Sequence, residues 1–350
     1  MSKTLSKYSK IGTLKGEMLS GSTFFKNKNY FSFEVPILNL AASGSFDHGL
    51  CRGITTIAAP PKHFKSSFHL MGMRSFLKHH EGKDPVIWFY DNEFGTPLEY
   101  FEARGVNMDR VLHLPFRSLE DLRNDMFQKL EQVDPDEEQI MIVVDSLGQA
   151  TSKKQQDDAK KDENKADLQR PKLIKDFCRL VAPAITIANV PSIFINHTYT
   201  SQDMYKPGEV ISGGTGIIYA SDTVWTIKKV NDKDEKTKEV LGNEFIIDIA
   251  FSRQVKERSK FTVYVDYETG VDPYSGILEL MEEFGIVVPN GKGYYSLSHD
   301  MEKKYRLKAL RDNVDGILAK YLNDPEFRKM VEYKYKLTKS KDEETVVIQP

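Results

Sequence analysis

A lysine and a serine, Lys65 and Ser66, follow an apolar run and open an amphipathic segment. The run from Ile54 to Ala59 is rich in β-branched residues, which is typical of a buried strand, and Pro60-Pro61 indicates a turn after it. Strand, turn and helix in this order form a phosphate-binding loop. There, backbone N–H groups hold phosphate oxygens, the lysine adds a positive charge and the serine hydroxyl binds Mg²⁺. The stretch therefore predicts a site for a nucleoside triphosphate.

The loop lacks both glycines of the usual pattern GxxxxGK[ST], because Ala59 and Phe64 occupy their positions. Glycine accepts a positive φ, so Phe64 must find another geometry or carry strain of about 1–3 kcal/mol. Taken alone, the stretch favours a surface turn with a capping serine, and only the residues further along the chain reverse that preference. The residues predicted to contact a nucleotide are Ala59, Pro60, Pro61, Lys62, His63, Phe64, Lys65, Ser66 and Ser67.

Polar residues follow three further apolar runs at the point where each run ends, namely Asp91-Asn92-Glu93, Asp145-Ser146 and Asn196-His197. A single carboxylate after a strand is most often a helix cap. Three polar ends beside one candidate phosphate loop are better explained as a site, since parallel strands end at the same edge of a sheet. Asp145 is then predicted to hold Mg²⁺ together with Ser66, and Glu93 to act as the general base that activates water.

The composition is that of a soluble globular protein: 350 residues, 40% apolar, 29% charged, with a net charge of −2. No run approaches the roughly 18 apolar residues of a membrane span. Two cysteines provide no disulfide framework, so a reducing cytoplasm is expected. The net charge neither requires nor excludes nucleic acid, and any contact with DNA must come from local basic patches.

Strand and helix patterns alternate through the first two thirds of the chain, which predicts a doubly wound α/β fold with its site at the carboxyl ends of the strands. Three later strands without intervening helices predict antiparallel hairpins at the sheet edge. The predicted strands are 54–59, 86–91, 111–114, 140–145, 192–196, 223–227, 245–251 and 261–267, and the predicted helices are 97–104, 119–130, 173–187, 277–284, 307–322 and 326–337.

Several local motifs resemble RecA-type recombinases, and within them most closely the UvsX recombinases of T-even-like bacteriophages. The motifs span about residues 20 to 295 in family order. They are Ala-Pro-Pro-Lys-His-Phe-Lys-Ser-Ser (59–67), Phe-Tyr-Asp-Asn-Glu-Phe-Gly (89–95), Val-Val-Asp-Ser-Leu-Gly (143–148), Ile-Asn-His-Thr-Tyr (195–199), Gly-Gly-Thr-Gly (213–216), Tyr-Ala-Ser-Asp-Thr-Val (219–224), Lys-Glu-Arg-Ser-Lys-Phe (256–261) and Gly-Val-Asp-Pro-Tyr-Ser-Gly (270–276).

The resemblance implies an α/β fold with a RecA-like P-loop NTPase core, in which helices flank a mostly parallel twisted sheet. An N-terminal polymerisation arm (1–34) would precede the core (35–270). A small C-terminal α+β domain (271–338) and a disordered tail (339–350) would follow it.

The resemblance also implies individual roles in the nucleotide site. Lys65, Ser66, Glu93 and Asp145 match the phosphate, metal and catalytic positions, and Tyr100 matches the aromatic residue that stacks on adenine. His197 occupies the position of the residue that senses the γ-phosphate. Arg253 matches a residue that contacts ATP across a subunit boundary. Phe251 stands where a lysine is expected, so Arg253 acts alone or Lys256 or Arg258 substitutes.

Two loops, 147–170 and 198–216, match the DNA-binding loops of the family. The matching DNA-binding residues are Lys175, Arg179, Tyr199, Met204, Lys206, Gly213, Gly214 and Thr215. The second loop combines aromatic, methionine and glycine residues, which suits insertion between bases while backbone amides hold phosphates.

The implied function is that of a DNA-dependent ATPase that uses ATP and Mg²⁺, forms filaments with itself on single-stranded DNA and exchanges strands with double-stranded DNA. It would serve recombination, repair and replication in the cytoplasm of a bacterial host. Partners would be a single-strand-binding protein and a recombination mediator, with no membrane. Two alternatives stay open: a P-loop phosphotransferase that acts on a small molecule, and a passive DNA-binding scaffold that binds ATP weakly.

Overall fold

The computed structural model describes residues 3–13, 18–26, 28–161, 169–200, 209–233, 239–267 and 270–338, without the side chains of Thr200, Thr215 and Lys233. The predicted DNA-binding residues Met204 and Lys206 lie outside the described residues. So do the tail 339–350 and parts of both predicted DNA loops, 162–168 and 201–208.

Strands of the described chain form one large sheet and two small ones. The strands are β1 (Tyr30–Phe31), β2 (Leu50–Cys51), β3 (Gly53–Ala59), β4 (Val86–Asp91), β5 (Val111–Pro115), β6 (Ile140–Asp145), β7 (Pro191–Thr200), β8 (Glu209–Ile211), β9 (Thr223–Lys233), β10 (Val240–Ser252), β11 (Lys260–Asp266), β12 (Gly270–Val271), β13 (Val287–Pro289), β14 (Tyr295–Leu297) and β15 (Asp300–Tyr305).

Helices cover both faces of the large sheet. The helices of the described chain are α1 (Lys3–Tyr8), α2 (Thr23–Lys26), α3 (Pro36–Ser43), α4 (Lys65–His79), α5 (Leu98–Ala103), α6 (Leu119–Leu130), α7 (Lys153–Lys160), α8 (Arg170–Ile187), α9 (Thr215–Ala220), α10 (Ile277–Glu283), α11 (Leu307–Arg311), α12 (Ile317–Leu322) and α13 (Pro325–Tyr335).

The large sheet runs in the order β12-β11-β10-β9-β3-β7-β6-β4-β5, with β8 paired to β7. The six strands from β9 to β5 are parallel, and β10, β11 and β12 continue the sheet beyond β9, each antiparallel to its neighbour. Both β3 and β6 are buried along their whole length, as expected of apolar strands that are covered on both faces. The predicted α/β class with a mostly parallel sheet flanked by helices is confirmed.

The sheet separates two apolar cores. One contains buried side chains of α3 and α4, and the other contains buried side chains of α6 and α8. The first core continues without interruption into α10, α12 and α13, where Ile277, Leu318 and Val331 are buried. The residues after Pro273 therefore share apolar packing with the sheet, and β13, β14 and β15 form a small antiparallel sheet of their own.

The prediction of one helix over 307–322 is wrong, because the chain breaks between α11 and α12. Asn313 and Asp315 take positive φ angles of 53° and 57°, and Gly316 follows with 67°. The Asn313 side-chain oxygen accepts the backbone N–H groups of Leu318 and Ala319, so it caps α12. Local capping thus replaces helical continuity here.

The described residues that precede β1 contribute little to either core. None of the residues of α1 is buried, and Phe24 and Phe25 are both exposed, with the Arg52 guanidinium 3.8 Å from the Phe24 ring centre. No helix in the described part of the chain is long and apolar enough to cross a membrane.

Candidate functional site

The polar strand ends predicted from the sequence meet at one edge of the large sheet. Asp91 at the end of β4 is paired in register with Asp145 at the end of β6. Ala59 at the end of β3 is paired with His197 of β7. Since all four strands are parallel, their carboxyl ends present these residues side by side. Charged and hydrogen-bonding groups from four strands therefore converge at this edge.

The 60–64 loop connects β3 to α4 and explains how a phenylalanine replaces the expected glycine. Phe64 takes a positive φ of 64° just before α4 begins. Its ring stacks on Phe245 of β10 at a centroid distance of 4.5 Å and meets Phe68 edge-on at 5.7 Å. The backbone therefore has the conformation that a glycine would adopt, and aromatic packing offsets the strain.

Substitutions at Phe64 should separate strain from packing. Phe64→Ala removes a stacked ring and keeps the strained φ, so we expect the free energy of unfolding to fall by about 2–3 kcal/mol. Phe64→Gly removes the same ring but also relieves the cost of the left-handed backbone conformation, which is about 1–2 kcal/mol. Part of that gain, about 0.4–1 kcal/mol, is lost because glycine gives the unfolded chain more conformational freedom. The free energy of unfolding should therefore fall by about 1 kcal/mol less in Phe64→Gly than in Phe64→Ala, as measured by urea unfolding.

Lys62 provides the matched control for this pair, because it is exposed, has a φ of 63° and has no ring to lose. Lys62→Gly should be more stable than Lys62→Ala by a similar margin. Equal unfolding free energies for Phe64→Ala and Phe64→Gly would contradict a strained Phe64.

The start of α4 offers several unpaired donors. None of the backbone N–H groups of residues 62–67 has a hydrogen-bond partner among the residues that the structure describes. Lys65 is buried, and its Nζ donates to the carbonyl oxygens of Ala59 at 3.2 Å and Pro60 at 3.0 Å. Burial lowers the pKa of Lys65 below its ordinary value, while the nearby carboxylates of Glu93 and Asp145 act to raise it. This arrangement suits an anion.

Asp145 is held by a residue that the sequence reasoning missed. His69 Nε2 donates to Asp145 Oδ2 at 3.2 Å, and both side chains are buried. His69 lies four residues after Lys65 and three after Ser66, on the inward side of α4. That spacing places it on the same helix face and was the available signal. The other carboxylate oxygen of Asp145 has no hydrogen-bond partner among the described residues, which leaves it available to a ligand.

Glu93 is the centre of a hydrogen-bonded cluster. Its Oε1 accepts hydrogen bonds from His197 Nε2 at 2.7 Å and from Ser146 Oγ. Asp91 Oδ1 fixes the turn by accepting the N–H groups of Glu93 and Phe94 at 3.0 and 2.9 Å. Burial acts to raise the pKa of Glu93, but the two hydrogen bonds and the positive charge of Lys65 outweigh it, so the pKa lies below its ordinary value. Glu93 is therefore ionised at neutral pH.

Two further predicted nucleotide residues lie in different places. Tyr100 on α5 is 58% exposed. Arg104, one helical turn further on, lies with its guanidinium 5.5 Å from the Phe64 ring, so the face of α5 that carries Tyr100 is next to the 60–64 loop.

Arg253 lies near the amino-terminal ends of the parallel strands, opposite the carboxyl ends that carry the Lys65 site, and its guanidinium pairs with Asp222 at 3.0 Å. Ser252 is paired with Thr223, and Thr223 with Thr55 near the start of β3. The seven residues of β3 span about 20 Å. Arg253 is therefore remote from the Lys65 site of its own chain.

Most described members of the predicted DNA-binding set lie together on and beside α8. Lys175 and Arg179 are exposed on one face of the helix, four residues apart. Gly213 packs against Ile174, where an added Cβ would lie 2.8 Å from Ile174 Cδ1, and Gly214 and Thr215 follow it at the start of α9. Tyr199 is 55% exposed on β7. These residues form a surface next to His197.

Sequence reasoning also missed residues that hold this surface in place. Gly148 approaches the end of β7 so closely that a Cβ would lie 2.8 Å from His197 Cδ2. Asn92 Oδ1 accepts the backbone N–H of Ser146 at 2.7 Å. Neither contact has a local signal in the sequence, since each joins residues about fifty positions apart.

Among the described residues, no group of three or more His, Cys, Asp or Glu side chains lies close enough to form a metal site. A metal at this edge would need ligands from a bound anion as well as from the chain. The donors available here are the Asp145 carboxylate and the Ser66 hydroxyl, which are hard oxygen ligands of the kind that Mg²⁺ prefers.

Fold and site together define an α/β protein with a mostly parallel sheet and a polar site at its carboxyl edge. No model of a known protein family matches the chain. The chain is 39% identical over 278 residues to the "Recombination and repair protein" of Enterobacteria phage T4, an alignment that covers 79% of this chain and 70% of that protein. The chain therefore belongs to the family of this phage protein.

Proposed function

We propose that the chain is a recombination and repair protein of the RecA type, closest to the UvsX recombinases. It would hydrolyse ATP in a DNA-dependent manner while it forms filaments on single-stranded DNA and exchanges strands with a homologous duplex. The observation that carries the proposal is the convergence of Lys65, Glu93, Asp145 and His197 on one sheet edge beside unpaired N–H groups. The relationship to the phage T4 protein supports the same role in recombination and repair.

The donor set at this edge fits ATP with Mg²⁺. The unpaired N–H groups of residues 62–67 and the Lys65 ammonium would hold the phosphates, and Ser66 and Asp145 would hold the metal ion. Bound Mg²⁺ would neutralise charge that develops on the phosphate oxygens. Tyr100 is exposed on the helix face next to the loop, where it can stack on the adenine.

Glu93 has the properties of a general base in this site. It is ionised, it is half-buried, and its turn is fixed by Asp91. A water molecule beside Glu93 would be oriented by the carboxylate and would give up its proton to it. His197, which now donates to Glu93, would report a change at Glu93 to the residues that follow β7.

The second half of the function depends on neighbouring chains and on DNA. Lys175, Arg179 and the backbone of residues 213–215 would bind DNA phosphates beside His197. Arg253 is remote from its own Lys65 site, which supports a contact with the ATP of an adjacent protomer. We further propose action in the cytoplasm of a bacterial host, with a single-strand-binding protein and a mediator as partners.

The decisive experiment is an ATP hydrolysis assay with Mg²⁺, with and without single-stranded DNA. A rate that rises strongly with DNA supports the proposal. Hydrolysis that ignores DNA but responds to a small phosphate acceptor would support a phosphotransferase instead. DNA binding without hydrolysis would support a passive scaffold and would overturn the assignment of Glu93.

The hydrogen bond from His197 should set the acid limit of hydrolysis. Because it lowers the pKa of Glu93, His197→Ala should raise that pKa, and the acid limb of the rate without DNA should move to higher pH. The stabilisation that comes with a lowered carboxylate pKa is present above about pH 4.5 and is lost as the pH falls below it. His197→Ala should therefore be less stable than the unmodified chain at neutral pH by up to about 1 kcal/mol.

Rate measurements between pH 4.5 and 8, together with urea unfolding at pH 7, test this prediction. His299→Ala, which replaces an exposed histidine in the β14–β15 turn, is the control and should leave the profile unchanged. If the rate fell at the same acid pH in His197→Ala as in the unmodified chain, the hydrogen bond from His197 would not be the cause of the acid limit.

A further inference from the structure

Arg170, the first residue of α8, joins two segments that are far apart in the sequence. Its Nε donates to the Ala150 carbonyl oxygen at 2.9 Å, and its Nη2 donates to the carbonyl oxygens of Gly148 and, at 3.4 Å, Leu147. Both Nη atoms also lie 3.5 Å from Ser212 Oγ, just after β8. One half-buried guanidinium thus spans the turn that follows β6 and the segment that precedes α9.

Both of these segments also contact His197. Gln149 Nε2 lies 3.4 Å from His197 Nε2, and Gly148 packs against the His197 ring. From the other side, the Ser212 backbone N–H donates to the His197 carbonyl oxygen at 2.8 Å. Arg170 and His197 therefore hold the same two segments from opposite sides and close a ring of contacts.

This ring of contacts between Arg170, His197 and the two segments connects the Glu93 site with the two loops that were predicted to bind DNA. The turn that follows β6 begins the 147–170 loop, and Ser212 lies near the end of the 198–216 loop. An arginine suits this position because its guanidinium presents five donors in a rigid planar fork, which can bind several carbonyl oxygens at fixed angles. A shift of His197 on one side of the ring must then move both loop ends together.

We propose that Arg170 is a positioning residue that couples the Glu93–His197 pair to both loops, so that polynucleotide binding and nucleotide state affect each other. The inference rests on the proposed ATPase function and adds to it the residue that carries the coupling. Coupling between two ligands is reciprocal. Loss of Arg170 must therefore weaken both the stimulation of hydrolysis by DNA and the increase in DNA affinity on binding a nucleotide.

The test compares Arg170→Lys and Arg170→Ala with the unmodified chain. Lysine keeps the positive charge but not the planar fork, so it separates a bridge from a simple charge that attracts DNA. The measurements are ATP hydrolysis with and without an oligothymidylate, and oligothymidylate affinity with and without a non-hydrolysable ATP analogue. We expect both variants to keep the basal rate within about twofold and to lose at least about fivefold of the stimulation, the lower end of typical coupling.

Arg123→Lys, at a partly exposed position on α6 where the guanidinium donates hydrogen bonds only to the neighbouring Asn124 among the described residues, is the control for an arginine-to-lysine change and should behave as the unmodified chain. Ser212→Ala removes one acceptor of the bridge and should reduce the stimulation in the same direction by a smaller factor, which keeps the test valid if the Arg170 variants do not fold. Full stimulation in Arg170→Lys, or an equal loss of basal and stimulated rates, would overturn the coupling role. If the unmodified chain itself shows no hydrolysis, the proposed function fails instead.

Discussion

Glu93→Gln should reduce ATP hydrolysis by a factor of about 10²–10⁴, which is the usual contribution of a positioned general base. Glutamine has the shape of glutamate but cannot accept a proton from water. Its side chain keeps an acceptor for His197 Nε2 and Ser146 Oγ, so the hydrogen bonds that hold the cluster can persist. The chain should therefore still bind ATP and assemble on single-stranded DNA while turnover stops.

Three measurements on the same preparation test this expectation: steady-state hydrolysis, ATP affinity and assembly on DNA followed by sedimentation or light scattering. Glu99→Gln makes the same chemical change at an exposed position on α5 and serves as the control, with hydrolysis unchanged. A Glu93→Gln chain that hydrolyses ATP at the normal rate would remove Glu93 from the chemistry. Loss of ATP binding would instead make Glu93 a nucleotide ligand.

The arrangement of this site follows from features that the sequence displays locally. The strands β4, β6 and β7 each contain an apolar run followed by polar residues, β3 leads into the 60–64 loop, and parallel pairing brings the ends of these four strands to one edge. The register pairs Asp91 with Asp145 directly, so these two strand ends needed no further information. The α/β class and the edge that carries the site could therefore be predicted.

The contacts that hold the site could not be predicted, because each depends on residues distant in the chain. Phe64 is stable in its strained conformation only because Phe245, on a strand beyond the predicted DNA loops, supplies a stacking partner. His69 meets Asp145 across 76 residues. A single sequence shows which residue types are present, but it does not show which buried polar groups satisfy each other.

Strand length was underestimated for a related reason. The β9–β10 hairpin extends beyond the predicted runs 223–227 and 245–251, through polar residues such as Lys228, Asn231 and Glu244. Apolar periodicity predicts only the part of a hairpin that packs on a core. The remaining part is held by backbone pairing, which any residue except proline can join.

Lys65→Met should greatly reduce the stabilisation of the chain by nucleotide while it leaves the unliganded fold intact. A hydrogen bond between charged groups contributes about 1.5–3 kcal/mol, so loss of the ammonium should weaken ATP binding by up to about 100-fold. In the unliganded chain, Lys65 donates to two carbonyl oxygens but also bears the cost of burial, which lowers its pKa. These two effects oppose each other when methionine replaces lysine, so the free energy of unfolding should stay within about 1 kcal/mol.

Thermal unfolding with and without ATP and Mg²⁺ distinguishes the two effects, because only a ligand that binds the folded state raises its stability. The unmodified chain should show a higher Tm with nucleotide, and Lys65→Met should show a much smaller rise at the same nucleotide concentration. Lys78→Met, at an exposed lysine near the far end of the same helix, should respond to nucleotide as the unmodified chain does. If nucleotide still raised the Tm of Lys65→Met fully, the phosphates would have to bind elsewhere, and the start of α4 would lose its role.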